Sequence, residues 1–152
     1  LVAQCHEQGG FDTTFVKADG ARMRLLKAPG NGEPNLVPGT GTVLAVLSIR
    51  ALGLPLEARH VHRPERVTAV TGAAEGQALE PVHLARAMAS PSGLLRGVGT
   101  ARAIAVINMV DHARRLAPAR TVARRVLDLT DRYERVVLTA GTASDLIIDV
   151  LP

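Results

Sequence analysis

Ala103-Ile104-Ala105-Val106-Ile107, followed at once by Asn108-Met109-Val110-Asp111, decides how this 152-residue chain is read. Five apolar residues in a row match a strand buried inside a sheet. Working outward, Val43 to Ile49 repeats the pattern upstream, and Arg135 to Thr139 and Leu146 to Val150 give further strands downstream. From Pro118, apolar residues recur at Val122, Val126 and Leu129, the spacing of an amphipathic helix. Pro64 with Glu65 opens another helix that Gly72 can end, and a third runs from Pro81 through Leu84 and Met88 to the breaker Ser90-Pro91-Ser92-Gly93. Thr13 to Ala18 reads as a short strand closed by the turn Asp19-Gly20. Leu1 to Gln8 reads as the end of a helix stopped by Gly9-Gly10, as if cut from something longer. Arg22 to Gly41 is broken by Pro29-Gly30-Asn31-Gly32, Glu33-Pro34-Asn35 and Pro38-Gly39, so a long irregular loop is expected there. Strands alternating with helices predict one α/β domain over residues 1–152, a mostly parallel sheet with helical crossovers.

Composition agrees with that class. Hydrophobic residues make up 47% and charged residues 21%, while Trp is absent and Phe and Tyr together supply three residues. The core must therefore be packed from Leu, Val, Ile and Ala, which suits parallel strands covered by helices. No apolar run has the roughly 18 residues of a membrane span, and no signal-like sequence opens the chain, so the expectation is a cytoplasmic protein with no membrane association. Cys5 is the only cysteine and cannot form an intrachain disulfide. The net charge of +4 could draw phosphates or nucleic acid. However, the six arginines from Arg114 to Arg132 spread over a helix as a solvated face, and almost no aromatic side chain is available to stack on bases, which disfavours nucleic acid as a partner.

Two short motifs carry chemistry. Asp19 stands where the first strand ends, the place where ligands gather in open parallel sheets, and Gly20 permits close approach of backbone to a phosphate. A carboxylate there can hold magnesium directly or through water; equally, Asp-Gly makes the turn after a strand. Asn108 and Asp111 have the Asn-x-x-Asp spacing of guanine-reading loops, in which a carboxylate accepts from the ring N–H and the exocyclic amine together. The same residues also serve as an Asn turn followed by a helix cap. The phosphate-binding loop G-x-x-x-x-G-K-[ST] that should accompany them does not occur in residues 1–152. His60 and His62 alone make a weak metal pair.

Taken in series, Val16-Lys17-Ala18-Asp19-Gly20-Ala21, Leu26-Lys27-Ala28-Pro29, Glu33-Pro34, Ala51-Leu52-Gly53-Leu54-Pro55-Leu56, Val61-His62-Arg63-Pro64-Glu65 and Asn108-Met109-Val110-Asp111 resemble the YqeC family of accessory proteins for selenium-dependent molybdenum hydroxylases. The resemblance runs from about Phe11 to Thr139. It implies a P-loop NTPase-like fold truncated at its N-terminus, with the phosphate loop preceding Leu1. It also implies Mg with GTP or ATP as cofactor, Asp19 as the metal residue, and Gly20, Lys27, His62, Arg63, Asn108 and Asp111 as cofactor-binding candidates. A molybdenum hydroxylase or a cofactor-maturation protein is the implied partner. Lys17 stands where the family has glutamate, and Met109 where it has lysine or glutamine. Two functions follow as expectations: a nucleotide-binding maturation factor, an NTPase when intact, or a non-catalytic protein that docks a hydroxylase or cofactor-transfer enzyme.

Overall fold

A computed structural model describes residues 1–141 and 145–152. In chain order its elements are α1 (Val2–Gly9), β1 (Leu26–Lys27), β2 (Thr42–Ser48), β3 (Val61–His62), α2 (Pro64–Thr71), α3 (Pro81–Ala89), β4 (Arg102–Asn108), α4 (Ala113–Leu129), β5 (Tyr133–Thr139) and β6 (Ile147–Leu151). Glycines at left-handed φ end α1 and α2, at Gly10 and Gly72, and Pro64 and Pro81 occupy first turns where no N–H is needed.

The main sheet has the order β2-β4-β5-β6, with β2, β4 and β5 parallel. β6 returns antiparallel to β5. The connection from Thr139 to Ile147 is too short for the crossover that a parallel neighbour requires, so reversal is the only geometry open to it. β1 and β3 form a separate parallel pair, Leu26 opposite Val61 and Lys27 opposite His62. The α/β reading with a parallel-rich sheet therefore holds, with one antiparallel edge. No helix of the described residues is long and apolar enough to cross a membrane.

The core lies on one face of the main sheet. Ala45, Leu47, Ala105, Ile107, Val136 and Leu138 point into it and meet Leu84 and Met88 of α3 and Val122 and Val126 of α4, all buried. Tyr133, one of the few aromatics, donates its hydroxyl to the Met88 carbonyl at 2.8 Å and ties the start of β5 to the end of α3. Burial pushes that phenol above its usual range. The opposite face is barely covered: Leu44 is 48% and Val46 49% exposed, and the row continues through half-buried Val106 and Val137 to exposed Val150.

Three expectations need correction. Val43 to Ile49 does form a strand, but its burial alternates, because β2 is paired on one edge only among the described residues and is covered on one face. Thr13 to Ala18 forms no strand; it is largely exposed, with Phe15 at 85%, and its Ala18 carbonyl accepts from the Asn35 N–H in place of a ladder. Its β-forming residues have no neighbouring strand edge within reach to supply a ladder. Asp19 therefore does not terminate a buried strand. Finally, α4 begins at Ala113, five residues before Pro118, which lies inside it. The residues from Ala113 to Ala117 are good helix formers, and the proline removes a single donor without stopping the helix.

Candidate functional site

The predicted site residues fall into two groups. The first is built around Lys27. Pairing of β1 with β3 sets Lys27 beside His62 and leaves the lysine only 7% exposed. An unpaired ammonium at that depth would cost several kcal/mol. It is matched instead by two carboxylates: Lys27 Nζ donates to Asp19 Oδ1 at 2.6 Å and to Glu33 Oε2 at 2.8 Å, with the Gly20 carbonyl at 3.4 Å.

Glu33 is the hub. Arg63 grips it with both arms of its guanidinium, Nη1 to Oε2 at 2.6 Å and Nη2 to Oε1 at 3.1 Å, and the Gly30 N–H adds a third donor at 2.9 Å. Arg63, then Lys27, then Gly30 hold the Glu33 carboxyl far below the ordinary glutamate range. Two backbone features make this possible. Arg63 adopts left-handed φ 60° at the N-cap of α2, an unusual conformation for a residue with a side chain. Gly30 leaves room for the guanidinium, since a Cβ there would lie 2.6 Å from Arg63 Nη1. His62 is half-buried; burial first, then the positive charges of Arg63, Arg22 and Lys27, lower its pKa and favour the neutral ring.

Asp19 reaches this cluster from the loop rather than from a sheet. Its Oδ1 also accepts from the Gly20 N–H at 2.7 Å, and Lys17 folds back so that a Cβ on Gly20 would meet Lys17 Cε at 3.2 Å. Asp19, Lys27, Glu33 and Arg63 carry two negative and two positive charges and balance. Sequence reasoning placed Asp19, Gly20, Lys27, His62 and Arg63 among the candidates and missed Glu33. Glu33 entered the sequence reading only as part of the Glu33-Pro34 segment, in the turn-rich loop and in the family resemblance, with no role attached.

The second group stands at the carboxyl ends of β2, β4 and β5. Asn108 closes β4, and its Oδ1 is buried without a partner among the described residues. Met109 takes left-handed φ 62° and receives the Ser48 hydroxyl at its sulfur, 3.1 Å away, while the Val110 N–H donates to the Thr139 carbonyl at 3.0 Å. Asp111 accepts from the Gly141 N–H at 3.0 Å and lies 3.6 Å from Arg115, which also donates to the Met109 carbonyl. The loop is thus pinned to three elements. Strained backbone and an orphaned buried oxygen together are a signature found at ligand sites.

The two groups rest on different elements, the β1–β3 pair and the main sheet. Leu25, one residue before β1, lines cavities on both sides. The larger, about 950 Å³, lies between the Asp12–Ala21 segment and β2 and takes in Asp19, Gly20 and Lys27. Among the described residues no three His, Cys, Asp or Glu side chains are grouped as a metal cage. A magnesium ion needs no such cage, because it commonly keeps its waters and uses one or two carboxylates with substrate phosphates.

Residues 1–65, which contain the whole Lys27 cluster, match the model of a family whose description is YqeC protein. Over 87 residues the chain is 30% identical to the "Uncharacterized protein YqeC" of Escherichia coli (strain K12), an alignment covering 57% of this chain and 34% of that protein. The chain spans about a third of the length of this curated relative. No solved structure matches.

Proposed function

From the chain's assignment to the YqeC family, which its family-model match and its 30% identical relative both support, we propose that the gene product containing residues 1–152 is a magnesium-dependent GTP- or ATP-binding accessory factor for maturation of selenium-dependent molybdenum hydroxylases. The observation that carries the reading is the convergence of Asp19, Lys27, Glu33 and Arg63 in one ion-pair cluster, of which Asp19 and Lys27 line the large cavity. The Lys27 ammonium and the Gly20 N–H both donate to Asp19 Oδ1, which leaves Oδ2 for a magnesium-bound water. Bound magnesium would neutralise phosphate charge there. Lys27 fixes the carboxylate, and Glu33 fixes Lys27 and Arg63.

Charge balance limits what this cluster does. With no surplus cation, it orients Asp19 and leaves phosphate binding to backbone amides of a glycine-rich loop outside residues 1–152. An extended strand bringing that loop fits the cavity between β2 and Thr13–Ala18, where it would pair with the free edge of β2 and give Thr13–Ala18 a ladder partner. Asn108 and Asp111, at the carboxyl ends of the same sheet, are the base-contacting candidates.

The second reading is a docking protein that keeps the frame without nucleotide turnover. The neutral cluster and Lys17 beside the Asp19 turn favour it. Titration of GTP and ATP into the gene product, with and without magnesium, separates the two. Saturable, magnesium-dependent binding supports the first reading. Co-purification with a hydroxylase-pathway protein in the absence of any nucleotide binding would establish the second.

A further inference from the structure

We propose that a second cavity, between the residues that follow β2 and the first turns of α4, is a binding site for a phosphomonoester with an apolar body, held by Arg50 and Arg114. The cavity measures about 420 Å³, within the range of small-molecule sites. Its lining combines apolar residues, Leu52, Leu54 and Pro118 among them, with the cations Arg50, Arg114 and Arg115. Arg115 is spent on Asp111 and the Met109 carbonyl. Arg50 and Arg114 differ: among the described residues neither guanidinium has a hydrogen bond or an ion pair.

Position adds to the charge. Arg50 lies in the 3-10 turn Ile49–Ala51 that follows β2, and Arg114 lies in the first turn of the 17-residue α4, whose N-cap residue His112 supplies no side-chain cap. Arg114 thus stands in the positive first turn of the helix dipole and lines the same cavity as Arg50. Paired N–H donors on each guanidinium match the oxygens of a phosphate dianion. Inorganic phosphate alone would leave the leucine and proline lining wet, so an ester whose apolar body covers that lining is the better fit. Neither Asp19 nor Lys27 lines this cavity, while its Arg115 is bonded to Asp111 of the base-contacting candidates.

Phenyl phosphate, inorganic phosphate and phenol are suitable probes, titrated calorimetrically into the gene product containing residues 1–152. Phenyl phosphate is expected to saturate, at least tenfold more tightly than either of the others. Arg50→Gln and Arg114→Gln should each weaken it several-fold, while Arg125→Gln, on the exposed side of α4, leaves it unchanged. Equal binding in the Arg50 and Arg114 variants, or no preference for phenyl phosphate over phosphate or phenol, overturns the proposal.

Discussion

At the scale of single residues, Glu33 holds the candidate corner together. Its folded carboxyl is depressed below the ordinary 4.5, chiefly by the Arg63 hydrogen bonds and then by Lys27. A group with a depressed folded pKa contributes stability above its unfolded value, and that contribution is lost as pH falls toward the folded one. The protein is therefore expected to lose stability as pH drops below about 4.5, and Glu33→Gln should flatten that slope while lowering stability at neutral pH. Urea melts across the acid range check both; an unchanged slope would show that Glu33 is not the titrating link. Asp19 was legible because it sits in a motif with a chemical rationale, whereas Lys27 and Arg63 were candidates only through the family resemblance. Glu33 was not legible, because nothing local distinguishes a loop glutamate that meets an arginine 30 residues away from a solvated one.

At the scale of elements, periodicity and breakers located most helices and strands to within a few residues, with α4 the clearest miss. Proline at a first turn is the usual reading, and the five helix-forming residues before Pro118 carry no signal strong enough to overrule it. In the structure Pro118 lies mid-helix and leaves the Arg114 carbonyl without its usual donor. Pro118→Ala is expected to raise stability by about 1–3 kcal/mol, visible as a higher urea midpoint with unchanged slope. A lower midpoint would place the true start of the helix at the proline. The Thr13–Ala18 segment fails for a different reason. A strand exists only with a partner edge, and partner edges are not written in local sequence.

At the scale of the whole molecule, the sheet is finished on one face and open on the other, which local patterning could not reveal, because Val43 to Ile49 is apolar on both sides. The asymmetry predicts unequal mutational costs. Leu47→Ala, at 2% exposure, should destabilise by about 2–5 kcal/mol, whereas Val46→Thr, one residue away on the open face, should cost less than about 1 kcal/mol. Equal costs in residues 1–152 would mean that the open face is covered. Among the described residues one edge of β2 is unpaired, and the cavity beside it and the Lys27 cluster are what the proposed magnesium–nucleotide site would use. The most direct test is calorimetric titration of magnesium with GTP or ATP into the gene product containing residues 1–152 and into its Asp19→Ala variant. The account predicts saturable binding that requires magnesium and weakens at least tenfold in the variant; binding indifferent to magnesium and to Asp19→Ala, or no binding at all, would contradict it.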